Sequence, residues 1–484
     1  MSYNHGIRVQ ENPTSIAVPK VGIAGLQVIF GTAPINLAED PYNAANRLVI
    51  AYSFQEAVKQ LGYSDDFANY TLCQSIDASF RIFKVAPIIL CNVLDPEVHK
   101  ATVSETSYPV VNKQTTINIK GLLLDKLVVK KEAATLVMGT DYITYFDEEG
   151  NVVVTLLDGG SAATVTSILV GGVKIDPSLV DATDIIGGYD AATGKEKGME
   201  LIRQVYPKFG FTPGLILAPG WSHDPVVGAV LAAKSINING VFQCENILDL
   251  DCSSEGATKY TDCGQVKTDS GYTNKHSIVL WPKVKIGTKL YAYSAIYAAM
   301  VAYTDASSDD VPNLSPSNKL LGIGSTVLAD GTEVILDQLQ ANVLNGLGIV
   351  TAINMNGWKA WGNNTACYPD NTEYKDRWIA CRRFFSWWSN SFILFYVDKV
   401  DDPSNLRLIE AIVDSENIRG NSFVSQGKCA GAKIVFIEEE NPITDIMNGK
   451  IQFKQYLAPY NPAEDILNVL EFDPSMIEAA LGGE

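Results

Sequence analysis

Residues 353–365 read Ile-Asn-Met-Asn-Gly-Trp-Lys-Ala-Trp-Gly-Asn-Asn-Thr, and they are the most informative stretch of this chain. Two tryptophans three positions apart run directly into a turn of small polar residues. Glycine and asparagine at such a place favour a sharp change of chain direction. The pattern therefore predicts a strand that ends at a tightly packed corner. Its candidate structural residues are Gly357, Trp358, Trp361, Gly362, Asn363 and Thr365.

The composition is typical of a folded protein with several domains. The chain has 484 residues, of which 46% are hydrophobic and 19% are charged. A chain of this length exceeds one core, so about two to four domains are expected. The 37 Lys and Arg residues against 55 Asp and Glu residues give a formal net charge of −18. A surface that wraps nucleic acid needs a basic footprint, so direct nucleic-acid binding is not predicted.

The sequence carries no signal for export or membrane insertion. The N-terminus is polar and lacks the apolar segment of a signal peptide. No apolar run reaches the roughly 18 residues that a membrane span needs, so none is predicted. The eight cysteines are scattered and form no Cys-x-x-Cys pair, which favours free cytosolic thiols. Neither a metal site nor a cofactor is predicted.

Residues 21–100 and 184–350 alternate strand and helix signals. Helical spacing occurs, for example, at 53–61 and 290–303, and short apolar runs bounded by turn residues lie between such stretches. This alternation favours a mostly parallel sheet. The predicted fold class is therefore a multidomain, mixed α/β protein, with these two ranges as the two parts of one α/β core.

Residues 101–183 have a different character. Short stretches rich in β-branched residues occur at 115–119, 142–145 and 152–156. The glycine in Asp147-Glu-Glu-Gly-Asn151 fits a hairpin turn. We predict a small all-β module inserted between the two α/β parts, because a loop tolerates an insertion whose ends lie close together.

The last part of the chain divides into a body and a tail. Residues 351–458 hold the tryptophan stretch, a segment dense in aromatic residues, and an alternating strand at 449–457. The tail, residues 459–484, contains another alternating stretch at 465–472. Residues 1–20 contain one short alternating strand without a local partner. Both ends of the chain are therefore predicted to be extended arms.

Two fragments resemble parts of other functional sites. Ser222-His223-Asp224 follows a predicted strand, where α/β enzymes place catalytic groups. Neighbouring residues cannot form a catalytic relay, because its three side chains must converge, so a helix cap is the favoured interpretation. Arg382 and Arg383 lie among tryptophans, a mixture that occurs in single-strand binding sites. Aromatic residues at this density are more often core or interface, and no catalytic residue is assigned.

The segment 357–365 resembles the signature of contractile tail sheath proteins, the sleeve subunits of long-tailed phages, R-type bacteriocins and related injection systems. Further blocks are similar to that family in the same order: 1–20, 210–220, 279–282, 344–350 and 450–459. The resemblance covers most of residues 1–100 and 184–484, and its strength lies in this order. The smallest family members do not share residues 101–183.

The resemblance implies a structural subunit that is not an enzyme. Such subunits polymerise as helically stacked six-fold rings around an inner tube, and they contract to drive the tube through a target cell envelope. The implied partners are other copies, the inner tube protein, and baseplate and tail terminator proteins. The subunit would assemble in the bacterial host cytoplasm and become part of the virion tail.

The resemblance also implies where the subunits meet. Residues 351–458 should face the tube, and residues 101–183 should face outward. Strands from both ends should link neighbours through Tyr3, Ile7, Val9, Ile451, Phe453, Tyr456, Ile466, Leu467 and Val469. Two alternatives stay open: an α/β hydrolase-like enzyme that uses His223, and a glycan- or surface-binding protein that acts through residues 101–183.

Overall fold

The structure is a computed structural model that describes residues 20–482. The predicted linking residues Tyr3, Ile7 and Val9 lie outside the described residues. The helices are α1 (Phe54–Leu61), α2 (Leu72–Asp77), α3 (Ala182–Ile186), α4 (Val205–Phe209), α5 (Pro225–Lys234), α6 (Cys263–Asp269), α7 (Tyr293–Ala306), α8 (Gln338–Asn345), α9 (Tyr374–Arg377), α10 (Ile379–Tyr396), α11 (Leu406–Ser425), α12 (Ile443–Met447) and α13 (Pro474–Ala480).

The strands are short and belong to several sheets. They are β1 (Lys20–Val21), β2 (Gln27–Gly31), β3 (Leu48–Ala51), β4 (Val85–Ala86), β5 (Ile88–Asn92), β6 (Lys100–Pro109), β7 (Gln114–Ile117), β8 (Val128–Lys131), β9 (Ala134–Thr135), β10 (Tyr142–Phe146), β11 (Val152–Leu156), β12 (Ser167–Ile175), β13 (Gly188–Asp190), β14 (Lys195–Lys197), β15 (Leu215–Leu217), β16 (Glu245–Asp249), β17 (Ser277–Leu280), β18 (Lys283–Ile286), β19 (Lys289–Tyr291), β20 (Ser325–Val327), β21 (Glu333–Val334), β22 (Ile349–Asn354), β23 (Trp358–Trp361), β24 (Gly431–Phe436) and β25 (Phe453–Ala458).

An eight-stranded sheet forms the centre of the molecule, in the order β23-β22-β17-β16-β15-β2-β5-β3. Its inner strands are parallel, and the two edge strands, β23 and β3, run antiparallel to their neighbours. Helices such as the almost fully buried α7 cover it, so the inner strands are buried, including polar residues such as Glu245 and Asn246 of β16. The predicted mixed α/β class is confirmed, and both predicted α/β parts contribute strands to this one sheet.

Two features of the body differ from the sequence prediction. The predicted division at residue 351 falls inside β22, so the tryptophan stretch lies in the central sheet and not in a separate C-terminal unit. The strands β18–β21 form a four-stranded antiparallel sheet, β19-β18-β20-β21, that the sequence analysis did not predict. These strands are only two to four residues long, which leaves little periodicity to detect.

The strands of residues 100–175 form two antiparallel sheets, β10-β11-β7 and β6-β12-β8-β9. Their buried side chains, Val129, Val152 and Val154 among them, make a hydrophobic cluster distinct from the main one. The hairpin predicted at residues 147–151 joins β10 to β11, and Gly150 has the positive φ of +76° that its turn requires. Asp147 Oδ1 accepts a hydrogen bond from the Asn151 amide at 2.8 Å, which closes the turn.

The C-terminal part packs two long helices against a small sheet. The aromatic segment forms α10, whose Phe384 and Trp388 join Val311, Cys429 and Ala432 in a third buried cluster. The strands β24 and β25 form a two-stranded antiparallel sheet beside α11. Residues 459–473 contain neither helix nor strand, and the short helix α13 follows them.

Candidate functional site

The tryptophan stretch forms an edge hairpin, β22–β23, followed by a corner. Trp358 donates a hydrogen bond from its indole nitrogen to the Gly324 carbonyl at 2.8 Å, and Trp361 packs against the main core. Gly357 and Gly362 have φ values of +103° and +140°. A Cβ on Gly362 would lie 3.1 Å from Val350 Cα, so the corner leaves little space for a larger residue. The predicted strand and tight corner are present.

The polar residues of the corner hold the beginning of α10. Thr365 is buried, and its hydroxyl donates to the Asp376 carbonyl at 2.8 Å, while its amide donates to the Arg377 carbonyl at 2.8 Å. The Asn363 carbonyl accepts from the Ile379 amide at 2.8 Å, which satisfies an amide of the first helical turn. The signature residues thus fix the direction in which α10 leaves the central sheet.

Arg382 and Arg383 on α10 are buried and paired. Arg382 lies 3.0 Å from Asp376 Oδ1, and Arg383 makes a bidentate ion pair with Asp305 of α7. Burial opposes ionisation of Asp376, but the hydrogen bond from Arg382 and the charge of Lys275 hold the pKa of this carboxyl below its usual value. Neither guanidinium is available to nucleic acid, and both connect α10 to the body.

The corner also binds the beginning of the tail. The carboxylate of Glu464 lies 3.1 Å from Arg377 Nη2 and 3.4 Å from Asn363 Nδ2. Nearby, the Cys381 thiol lies 3.4 Å from Asn461 Oδ1. No sequence signal predicts this contact, because Glu464 is one acidic residue among many and its partners are distant in sequence. The corner therefore has a second role as an anchor for the tail.

The β24–β25 sheet is formed within one chain. Phe453 pairs with Phe436 and Tyr456 pairs with Lys433, while Ile451 lies just before β25. One neighbour of this strand is therefore β24 of the same chain, and the link of Ile451, Phe453 and Tyr456 to other copies stays a prediction. Within residues 20–482, no third strand pairs with β24 or β25. The Asn417 side chain of α11 bonds to the amide and the carbonyl of Ile434, at 2.9 and 3.0 Å, and so partly covers β24, whereas β25 has an open edge.

The tail beyond Glu464 is exposed although it is apolar. Ile466, Leu467 and Val469 expose 84%, 82% and 76% of their surface, and Leu470 and Phe472 are similarly exposed. The predicted alternating stretch at 465–472 pairs with no other strand among the described residues. Contiguous exposed apolar surface of this kind is a feature of interaction sites. The tail therefore lacks a partner within the described chain.

The enzyme-like fragment does not form a catalytic site. The Ser222 hydroxyl is buried and hydrogen-bonded to Asp249, with 3.2 Å between Ser222 Oγ and Asp249 Oδ2. Asp224 accepts from the Val226 amide at 2.8 Å and caps α5, whereas His223 is exposed. Asp249 in turn accepts from the Ser294 amide at 2.8 Å at the start of α7. The predicted helix-cap interpretation is correct for Asp224.

The described residues provide neither a metal site nor a membrane-spanning helix. In the part of the chain that the structure describes, no cluster of three or more His, Cys, Asp or Glu side chains has an arrangement that could hold a metal ion. No helix between residues 20 and 482 combines the length and apolar character needed to cross a membrane. All eight cysteines are buried and unpaired.

Comparisons with known proteins connect this geometry to a family. No protein-family model matches the chain. The tail sheath protein of Burkholderia phage BcepMu is 25% identical over 497 residues, which cover 100% of this chain and 99% of the relative. The major tail sheath protein of Serratia phage KSP20 is 23% identical over 313 residues, 62% of this chain and 74% of the relative.

Two solved structures share the fold over almost the whole chain. A chain of the anti-feeding prophage baseplate matches with a TM-score of 0.58 at 14% identity, covering 98% of this chain and 100% of that chain. A chain of the PVC sheath complex, an extracellular contractile injection system in its contracted state, matches with a TM-score of 0.56 at 13% identity, covering 98% and 99%. The resemblance to tail sheath proteins is confirmed. Both curated relatives are tail sheath proteins, and the prediction that this chain is not an enzyme agrees with them.

Proposed function

Because the chain is a homologue of tail sheath proteins, we propose that it polymerises into the contractile sheath of a phage tail or a related injection system. The observation that carries this proposal is the combination of an open two-stranded sheet with an apolar tail that has no partner in its own chain. An open sheet edge is a template for strand addition, because its backbone groups lack partners. We propose that tails of neighbouring copies fill these edges.

The length of the tail supports exchange between copies. Residues 465–473, which follow the anchor at Glu464, span roughly 30 Å when extended at about 3.3 Å per residue. Glu464 fixes the beginning of this segment to the corner, so the apolar residues Ile466, Leu467 and Val469 extend beyond the anchor. The N-terminal segment that carries Tyr3, Ile7 and Val9 would link copies in the same way. Ile451, Phe453 and Tyr456 then belong to the accepting sheet.

The proposed assembly is a helix of stacked six-fold rings around an inner tube. Head-to-tail contacts that do not close on themselves build helical polymers. Residues 351–458 would face the tube, and the inserted all-β module of residues 101–183 would face outward. The partners would be other copies, the inner tube protein, and baseplate and tail terminator proteins. The sheath would assemble in the host cytoplasm and become part of the virion tail.

Contraction would move the bodies while the arms keep the copies connected. The main core and its buried ion pairs make the body a rigid unit, and packed interfaces switch between discrete arrangements and do not deform continuously. An extended sheath that is trapped kinetically would shorten once its end is released. The work on the target envelope would come from new contacts between bodies.

The tail provides a direct test. The full chain and a version that ends at Asp465 are each produced with the inner tube protein and imaged by negative-stain electron microscopy. We expect striated cylinders from the full chain and none from the shortened chain, with unchanged thermal unfolding of the body. A double variant, Ile466→Asp with Val469→Asp, should behave like the shortened chain.

A matched control keeps the tail and changes its polar residues. Asp465→Asn with Glu471→Gln alters charge in the same segment without removing apolar side chains, and it should still form cylinders. Cylinders from the shortened chain would refute strand donation by the tail. Loss of cylinders in the control as well would show that apolar contact alone does not connect the copies and that the charges of the tail are also required.

A further inference from the structure

A loop between α7 and β20 contacts three parts of the molecule that are far apart in sequence. We define the junction loop as residues 308–315. Asp309 and Asp310 have φ values of 56° and 59°, so two consecutive non-glycine residues adopt the left-handed conformation. This conformation is unfavourable for such residues and persists only when surrounding contacts hold it. The contacts that the loop makes with the rest of the molecule must therefore hold it in place.

The first contact is with residues 23–24, close to the point where the described chain begins. Asp310 Oδ1 accepts hydrogen bonds from the amides of Ile23 and Ala24, at 2.8 and 2.9 Å. The next residue, Gly25, passes so close to α7 that a Cβ there would lie 2.7 Å from Ala302 Cα. One carboxylate thus fixes the point at which the chain enters the body.

The second contact is with the two-stranded sheet. The Lys428 ammonium lies 2.9 Å from Asp309 Oδ2, 3.0 Å from the Ser308 carbonyl and 2.9 Å from Ser308 Oγ. Lys428 precedes β24 by only a few residues and is mostly buried. Val311 packs in the same cluster as Cys429 and Ala432. The loop therefore fixes the end of the sheet that would accept strands.

The third contact is with the tail. Ser315 Oγ donates to Asn363 Oδ1 at 2.6 Å, and the amide group of the same Asn363 lies 3.4 Å from Glu464 Oε1. One side chain of the signature corner therefore connects the junction loop to the anchored beginning of the tail. Only four residues of the loop lie between Asp310, which holds the N-terminal segment, and Ser315, which contacts the tail anchor.

We infer that the junction loop couples the N-terminal segment, the tail anchor and the accepting sheet, so that displacing one of them shifts the others. Asp310 and Lys428 are then positioning residues for assembly, a role that rests on the proposed function. The physical reason is that contacts on all sides hold Asp309 and Asp310 in an unfavourable backbone conformation. If one set of contacts is lost, the turn relaxes, and the remaining contacts shift with it. A pull on a donated arm would then alter the edges that receive arms from other copies.

Hydrogen exchange of the unassembled full-length chain tests this coupling. Lys428→Met removes the ion pair and hydrogen bonds between Lys428 and the loop but touches neither Ile23 nor Ala24. We expect the amides of Ile23 and Ala24 to exchange at least about fivefold faster in this variant, the lower end of typical coupling between sites. The matched control is Lys454→Met, which removes an ion pair of the same sheet with Glu440 and does not reach the loop. It should leave both amides unchanged.

The reverse measurement keeps the test decisive if Lys428→Met does not fold. Asp310→Ala removes the acceptor and keeps a residue for which the positive φ is unfavourable, and reciprocity requires faster exchange in β24. Unchanged exchange at Ile23 and Ala24 in Lys428→Met, or unchanged exchange in β24 in Asp310→Ala, would overturn the inference. Because no polymer is needed, this result is independent of whether cylinders form.

Discussion

The central sheet and the C-terminal sheet differ in what each leaves for other molecules to complete. All residues of β2, β5, β15, β16 and β17 are buried, and each of these strands has a partner on both sides. In contrast, β25 alternates half-buried and exposed residues, and the tail that follows it is exposed. The first region is complete in one chain. The second region ends in a tail whose apolar side chains are exposed, because no contact within the described chain buries them.

The largest loss of stability is expected from the buried ion pair in the body. Arg383→Met leaves the buried Asp305 carboxylate without its partner, and removal of one partner typically costs about 3–5 kcal/mol. Chemical denaturation of the purified chain would measure this loss. Arg407→Met, at an exposed position of α11, serves as the control and should change the unfolding free energy little. Equal losses of unfolding free energy in the two variants would contradict a stabilising role of the Arg383–Asp305 pair in the body.

A smaller but substantial loss is expected inside the central sheet. Ile247 lies in β16 with none of its surface exposed. Ile247→Ala removes buried methyl groups and leaves a cavity, which usually costs about 2–5 kcal/mol. The same denaturation experiment measures it. A loss below about 1 kcal/mol would mean that the sheet relaxes around the cavity, so its packing would be less rigid than the burial indicates.

A pH effect is expected where the two regions meet. Burial raises the pKa of Asp310 from 3.8 to about 6. A carboxyl whose pKa is higher in the folded chain binds its proton more readily there, so its contribution to stability increases as the pH falls from about 6 towards 4. Relative to Asp310→Asn, the wild-type chain should gain stability on the order of 1 kcal/mol between about pH 7 and pH 4.5, since the side chain is only partly buried. A difference between the two chains that does not change with pH would contradict this assignment.

The smallest effect is expected in the tail. Ile466→Ala makes the same chemical change as Ile247→Ala, but at a side chain that is 84% exposed. Substitutions at such surface positions usually change stability by less than about 0.5 kcal/mol. Thermal unfolding of the unassembled chain should therefore be unchanged. A clear destabilisation would show that the tail packs against its own body in solution.

The parts of the fold that could be predicted depend on local signals. The strand at Trp358–Trp361 and the glycine turn after Asp147 were identified, because aromatic residues before a turn and a glycine between two β-branched stretches have signatures within a few residues. The strands β18 and β19 were missed, because segments such as Lys283–Ile286 are short and contain lysines. Local pattern thus described the central sheet better than the small antiparallel sheet beside it.

The candidate site was less predictable, because its contacts are distant in sequence. The alternation around Phe453 and Tyr456 indicates a half-buried strand, but it does not say which chain supplies the neighbouring strand. Asp310 is 287 residues from Ile23, and neither residue carries a motif that predicts their hydrogen bond. The tryptophan signature was recognised, but its contact with Glu464 became evident only in three dimensions.

The open edges of the β24–β25 sheet have a consequence for any polymer built through them. A copy that joins by placing its tail in a neighbour still has its own edges vacant, so each addition regenerates the site that it consumed. The two ends of a finite filament then differ. At one end the sheet edges have received no tail, and at the other end the tails have no neighbouring sheet to enter. A protein that starts the filament must imitate one of these features, and a protein that stops it must imitate the other.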